Sequence, residues 1–156
     1  MIKKFTRVLF DMDGVLTDFE SVAPKTEDGK VDWKKIKTYG KEWWSSIPWL
    51  EEGKKLITEV MNLGVTVGIL SAIFTPAGKA GKRDWVKKNL PMLDEADIKI
   101  VNRGYSKPFA ACSNDILVDD QPRYIDAFNK KFGNGAILYT GFESTLEEIK
   151  KKLGAK

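Results

Sequence analysis

One stretch constrains the fold more than any other: residues 5–10 form a run rich in apolar β-formers, and Asp11, Asp13 and Gly14 follow at once. The run predicts a buried strand. Gly14 lets the backbone leave that strand sharply. The stretch therefore places Asp11 and Asp13 at the end of a central strand, where open α/β sheets bind their ligands.

Two carboxylates this close in sequence are costly unless a positive charge lies near them. Magnesium is the usual solution, because it prefers hard oxygen ligands. The alternative is a strand followed by an ordinary Asp-rich turn. The residues at the other strand ends decide between these interpretations.

Strands alternate with helices along the rest of the 156-residue chain. Further strands are predicted at residues 65–70, 97–101, 115–118 and 136–139, and helices at 49–63, 82–90 and 123–132. Ser144 is predicted to cap a last helix, with Glu147 completing a capping box. Such alternation predicts an α/β fold, a mostly parallel five-stranded sheet between two layers of helices. The length fits one domain over residues 1–156, with an aromatic-rich insertion at about 18–48.

Composition excludes several classes of chemistry. The chain has no histidine, which rules out Ser-His-Asp catalysis and His-ligated zinc. Its one cysteine, Cys112, allows no internal disulfide, and no apolar run is long enough to span a membrane. The N-terminus lacks the apolar core of a signal peptide, so a cytoplasmic location is expected, without a membrane partner. The formal net charge of +4 is mild and favours anionic substrates.

Polar residues follow three predicted strands, and a lysine precedes the last of them. They are Asp11 and Asp13, Ser71, Asp119 and Asp120, with Lys107 twelve residues before Asp119. The ends of parallel strands share one edge of a sheet, so these side chains can converge. Taken singly, each has an ordinary explanation: a strand-end hydroxyl, a solvated loop lysine or a helix cap. Their conjunction indicates a site.

The chemistry of this set is that of phosphoryl transfer. Asp11 can attack phosphorus as a carboxylate nucleophile, and Asp13 can protonate the leaving oxygen. Ser71 and Lys107 can bind the phosphoryl oxygens. Asp119, together with Asp11, can hold a magnesium ion, with Asp120 as a further candidate ligand.

The four motifs together resemble those of the haloacid dehalogenase superfamily of phosphotransferases: Asp-Met-Asp-Gly-Val-Leu-Thr-Asp at 11–18, Ile-Leu-Ser at 69–71, Lys-Pro at 107–108 and Ile-Leu-Val-Asp-Asp at 116–120. The resemblance covers nearly the whole chain. It implies a Rossmann-like core and a Mg²⁺ cofactor, and it makes Asp13 a metal ligand through its backbone carbonyl.

A closer resemblance is to the 5′(3′)-deoxyribonucleotidase family. The first motif continues into Phe19, and Lys82 begins a segment similar to the Lys-x-x-Trp-Val helix of that family. This implies that Lys82 binds the substrate phosphate. It also implies that Phe19 and the Trp43–Trp44 pair, Trp44 in particular, surround the base. The alternative for the tryptophans is that they form the core of a small cap. The short cap and Ala72, where the family often has a second polar residue, leave the substrate open.

The sequence thus predicts a magnesium-dependent phosphomonoesterase that hydrolyses a small phosphate ester, a nucleoside monophosphate in particular. Three alternatives stay open: a phosphatase for nucleic-acid 3′-ends, a phosphatase for phosphosugars, and a non-catalytic binding module on the same fold. Nucleic acid is the less favoured partner, because the lysines are spread out along the chain. The preferred base and the oligomeric state are left undetermined.

Overall fold

A five-stranded sheet, parallel throughout, forms the centre of the computed structural model, which describes residues 4–154. Its strands are β1 (Arg7–Phe10), β2 (Thr66–Ala72), β3 (Ile98–Val101), β4 (Asp115–Asp119) and β5 (Ala136–Leu138). Their order is β3-β2-β1-β4-β5, which makes β1 the central strand. The predicted α/β sheet is confirmed, and none of its described strands is antiparallel.

Helices cover both faces of the sheet. They are α1 (Phe19–Val22), α2 (Trp33–Ile36), α3 (Lys41–Ser45), α4 (Glu51–Asn62), α5 (Pro76–Asn89), α6 (Pro122–Phe132) and α7 (Phe142–Leu153), with short 3₁₀ helices at Glu95–Asp97 and Gly104–Ala110. Side chains of β1 alternate between the faces. Val8 and Phe10 pack in the cluster that includes Ile57 of α4, whereas Leu9 packs with Phe128 of α6. The predicted three-layer arrangement is therefore observed.

Helix α5 begins earlier than the sequence predicts, at Pro76 rather than near Lys82. Thr75 caps it by accepting a hydrogen bond from the backbone N–H of Gly78 at 3.1 Å. Glycine is a poor helix former, which makes this segment resemble a loop. The structure gives the glycines another role, because a Cβ at Gly81 would collide with Trp44 of α3. The two helices thereby pack closely, and Lys82 lies in the middle of α5.

The predicted cap at Ser144 is wrong, because α7 begins three residues earlier. Gly141 is its N-cap, with a φ of 111° that a residue with a side chain would rarely adopt. Ser144 therefore lies in the first turn of the helix, where its hydroxyl contacts that of Thr140 at 2.7 Å. A serine inside a first turn matches the capping pattern in sequence and differs from it only in backbone conformation.

The three shortest α-helices, α1 to α3, lie between β1 and α4 and pack around a second apolar cluster. It contains Phe19, Ile36, Trp44, Ile47 and also Ile73, which follows β2. This cluster attaches the segment to the carboxyl edge of the sheet. Its assignment as a reduced cap insertion at about 18–48, within one domain, stays a prediction. Across residues 4–154, every helix is too short or too polar to cross a lipid bilayer.

Candidate active site

The carboxyl ends of β1, β2 and β4 meet at the centre of one sheet edge. Phe10, the last residue of β1, pairs with Ile69 of β2 and Val118 of β4. The backbone N–H of Asp11 then donates to the carbonyl of Val118 at 2.9 Å. A cavity of about 300 Å³ opens at this edge. The predicted convergence of strand ends is thus what the fold produces.

Three carboxylates form a cluster at this edge of the sheet, and two of them, Asp11 and Asp120, line the cavity. One oxygen from each of Asp11, Asp119 and Asp120 lies within 4.8 Å of the others. Burial raises the pKa of Asp11, against the opposing effect of Lys107. Burial, followed by the charges of Asp11 and Asp119, raises the pKa of Asp120 to about 7. Gly14 makes room for the cluster, because a Cβ there would collide with the Asp120 carboxylate.

This donor set fits a divalent cation. Its hard carboxylate oxygens suit Mg²⁺, and a cation among them would offset the burial and the mutual repulsion that together raise the pKa of Asp120. Both oxygens of Asp119 already accept hydrogen bonds, from Lys107 at 2.6 Å and from the backbone N–H of Gln121 at 3.0 Å. Asp120, in contrast, lines the cavity. The identity of the ion stays a prediction.

Asp13 lies apart from the three clustered acids. Its Oδ1 accepts a hydrogen bond from the Thr17 hydroxyl at 2.9 Å, and its Oδ2 accepts one from Lys82 at 3.0 Å. The carboxylate of Asp13 lines the cavity and is one quarter exposed. Asp11 and Asp13 thus occupy different electrostatic environments, one beside Lys107 and the other beside Lys82, as separate roles would require.

Lys107 is buried, not a solvated loop lysine. It belongs to the 3₁₀ helix Gly104–Ala110, and its Nζ lies 3.0 Å from Oδ1 of Asp11 and 2.6 Å from Oδ2 of Asp119. Burial alone would lower its pKa. The two carboxylates outweigh burial and raise the pKa of Lys107 to about 12, so the ammonium stays charged in the site.

Lys82 is the second buried cation, on the opposite side of the site. It is 1% exposed and bridges Asp13 to Ser71, whose hydroxyl accepts its hydrogen bond at 2.7 Å. Lys82 is therefore not a surface lysine. Ser71 is fully buried, and the neighbouring Ala72 lines the cavity in its place. Direct contact of Ser71 with phosphate stays a prediction; in the structure its partner is Lys82.

Two aromatic side chains line the outer part of the cavity. Phe19 and Trp33 stack with ring centroids 5.4 Å apart. Trp33 is 42% exposed. Trp44 is 1% exposed and stacks on Phe19 at 6.0 Å, and it is not among the described residues that line the cavity. Trp33 therefore lines the cavity, whereas Trp44, the tryptophan that the sequence prediction named, does not.

Sequence reasoning also missed the wall that α6 contributes. Gln121, Arg123 and Tyr124 all line the cavity. They directly follow Asp119 and Asp120, at the point where a strand end passes into a helix. That position is the signal that could have identified them.

The comparisons with known proteins agree on the fold. A sequence model of the haloacid dehalogenase-like hydrolases matches residues 5–156. One similar structure is the cobalt-bound deoxy-D-mannose-octulosonate 8-phosphate phosphatase from Haemophilus influenzae, with 14% identity, a TM-score of 0.50, and coverage of 98% of this chain and 91% of that one. A hydrolase from Streptococcus pneumoniae TIGR4 also matches with 14% identity and a TM-score of 0.50, covering 97% of this chain and 99% of that one. No curated protein sequence matches the chain significantly.

Proposed function

This chain belongs to the haloacid dehalogenase-like hydrolases, and we propose that it is a magnesium-dependent phosphomonoesterase acting on nucleoside monophosphates. One observation carries the proposal. A single cavity joins the Asp11 and Asp13 carboxylates and two buried lysines to an aromatic wall, which is formed by Phe19 and Trp33. The charged part can bind and transfer a phosphoryl group, and the aromatic part can bind a base.

The reaction proceeds in two displacements. A carboxylate oxygen of Asp11 attacks phosphorus, the bond to the ester oxygen breaks, and Asp13 gives that oxygen a proton. Water then attacks the phosphorus of the aspartyl-phosphate and passes a proton to Asp13. Inorganic phosphate leaves, and both side chains return to their initial state.

The lysines stabilise the charge that moves through the site. Lys107 lies 3.0 Å from Asp11, so it stays close to the oxygens of the phosphoryl group during transfer. Lys82 lies beside Asp13, close to the leaving oxygen. Asp11, Asp119 and Asp120 would hold Mg²⁺, which would supply further charge neutralisation for the phosphoryl oxygens.

The aromatic wall favours a nucleotide over a phosphosugar. Stacking of a base on an aromatic ring is worth about 1–3 kcal/mol, and Trp33 has an exposed face available. The volume of about 300 Å³ suits a small substrate. A phosphosugar has no aromatic base to stack on Trp33. A nucleic-acid 3′-end is the other rival, and its binding would weaken steeply with salt.

The test is a magnesium-dependent activity screen over nucleoside monophosphates, phosphosugars and 3′-phosphorylated oligonucleotides. We expect the highest kcat/KM for a nucleoside monophosphate, with loss of turnover in a chelator and recovery on adding Mg²⁺. A clear preference for phosphosugars would overturn the nucleotide assignment. Full activity in the chelator would overturn the metal dependence.

Replacing Trp33 with alanine should weaken nucleotide turnover selectively. Losing one stacked base should lower kcat/KM for a nucleoside monophosphate about tenfold or more, and lower it much less for a small aryl phosphate. Because Trp33 is 42% exposed, the fold should tolerate the change. Phe109→Ala is the control, since Phe109 is 79% exposed and does not line this cavity. Equal losses on both substrates would contradict a base-binding role.

Magnesium should stabilise the protein far more at pH 8 than at pH 5.5. The folded protein raises the pKa of Asp120 to about 7, above that of an unfolded chain. Without metal, protonation of Asp120 therefore stabilises the folded state fully below about pH 4, and this stabilisation is lost as the pH rises through 7. Above pH 7 the ionised carboxylate binds Mg²⁺, whereas below it a proton competes. The measurement is the rise in Tm on adding Mg²⁺ at each pH.

The matched control for this prediction is Asp120→Asn, which removes the carboxyl group whose pKa is raised to about 7. In this variant the Tm rise should depend much less on pH. A wild-type Tm rise of equal size at pH 5.5 and pH 8 would contradict the role of Asp120 as a metal ligand.

A further inference from the structure

One cation that lines the cavity has no role in the proposed mechanism. Arg123, the second residue of α6, is exposed and lines the same cavity as Asp11 and Asp13. Within residues 4–154 it forms no ion pair with a carboxylate. A cation in the first turn of a helix also opposes the helix dipole. Neither an ion pair nor the helix dipole therefore explains its position.

The Tyr124 ring holds the Arg123 guanidinium in place. The guanidinium carbon lies 4.8 Å from the ring centroid of Tyr124. The ring packs so closely on the backbone of Gly104 that a Cβ there would collide with it, and Tyr105 contacts its edge. A planar guanidinium on a fixed ring keeps its outer N–H groups available for an anion.

The same ring relates Arg123 to the catalytic centre. Nζ of Lys107 lies 5.3 Å from the Tyr124 centroid and 3.0 Å from Asp11. The separation between the two cations therefore cannot exceed the sum of their distances from that centroid. This span is within the reach of a small phosphate ester whose reacting phosphate lies beside Lys107. Its remaining part can then extend to Arg123.

We infer that Arg123 is a specificity-determining residue that binds a second phosphate of the substrate. The inference rests on the proposed function, because on a nucleotide the second anionic group is a phosphate. An arginine fork binds two phosphate oxygens at once. The preferred substrate then carries a second phosphate about one sugar away from the reacting one. A nucleoside 3′,5′-bisphosphate and a 3′-phosphorylated dinucleotide both meet this description.

The test compares kcat/KM within matched substrate pairs. One pair is a nucleoside 5′-monophosphate and the 3′,5′-bisphosphate of the same nucleoside. The other is a nucleoside 3′-monophosphate and a dinucleotide with a 3′-phosphate. The variants are Arg123→Met, Arg123→Lys and, as control, Lys130→Met, which removes an exposed cation from the far end of α6.

The wild-type protein should prefer the member with two phosphates about tenfold in at least one pair, as expected for a charge-assisted hydrogen bond. Arg123→Met should remove most of this preference. Arg123→Lys should keep part of it, because it keeps the charge without the fork, and Lys130→Met should keep all of it. A preference within the first pair identifies a free nucleoside bisphosphate as the source of the second phosphate. A preference within the second pair identifies an oligonucleotide end as that source.

Failure of this inference and failure of the proposed function give different results. Turnover of nucleotides with no wild-type preference, or with equal losses on both members in Arg123→Met, overturns the inference and leaves the proposed function standing. Turnover of an aryl phosphate with none of the nucleotides overturns the nucleotide assignment and the inference with it.

Discussion

Replacing Asp11 with asparagine should abolish phosphate-ester hydrolysis and leave the fold intact. The amide is not a nucleophile, so no aspartyl-phosphate can form, and we expect a loss of about 10⁴-fold or more in kcat. The side chain keeps its shape. The backbone N–H of Asp11 keeps its bond to Val118 at 2.9 Å. The substitution also removes one buried negative charge, so stability in the absence of metal should not fall. The measurements are turnover of an aryl phosphate and urea unfolding.

The matched control is Asp126→Asn, which neutralises an exposed carboxylate on α6 and should keep wild-type turnover. Rapid quenching of the wild-type protein during turnover, followed by peptide mass spectrometry, should find the phosphoryl group on Asp11. Turnover at wild-type rate in Asp11→Asn, or a phosphoryl group on another residue, would contradict the nucleophile assignment.

The part of this site that sequence predicts is the part fixed by local pattern. Asp11 follows β1 directly and Asp119 is the last residue of β4, and a parallel sheet brings such strand ends to one edge whatever the helices do. Their place in one cluster is therefore predictable before any side chain is placed. Lys107 joins them at 3.0 and 2.6 Å because the segment between β3 and β4 begins at that same edge, where β3 ends.

The part that sequence does not predict depends on how helices pack. Trp33 and Trp44 both belong to a short aromatic segment, and only the close packing of α3 on α5 decides that Trp44 is buried and Trp33 exposed. The same packing carries Lys82 to Asp13 and Ser71. The glycines that permit this contact resemble a loop in sequence. Contacts between distant segments that depend on glycine, which has no side chain, leave no periodic pattern in the sequence.

Replacing Lys107 with methionine should cause the largest loss of stability of any substitution in the site. Lys107 is 2% exposed, and it is the cation that contacts both Asp11 and Asp119. Its removal leaves two buried carboxylates uncompensated, and breaking a buried pair from one side costs about 3–5 kcal/mol. Turnover should also fall by about 10²–10³-fold, as on removal of a preorganised charge from a reaction centre. Urea unfolding in a chelator at pH 8 measures the first effect.

The pH dependence of the variant separates an electrostatic cause from lost packing. Burial already raises the pKa of Asp11, and Lys107 opposes that rise. In Lys107→Met the pKa of Asp11 therefore rises further above its unfolded value. Protonated Asp11 then stabilises the folded state at a pH below the pKa that Asp11 has in the unfolded chain. This stabilisation is lost as the pH rises through the pKa that Asp11 has in the folded protein. The deficit should shrink from pH 8 to pH 5, and Mg²⁺ at pH 8 should restore part of it.

Lys82→Met is the matched control, since it also removes a buried lysine from the same cavity. Its acidic partner, Asp13, is one quarter exposed and keeps its hydrogen bond from Thr17, so the uncompensated charge can be hydrated. We expect a smaller and less pH-dependent loss of stability. An equal deficit in both variants at pH 5 and pH 8 would mean that lost packing is the cause. Since Asp119 has no access to solvent, the contrast tests whether Lys107 supplies the charge that makes the carboxylate cluster tolerable before a metal binds.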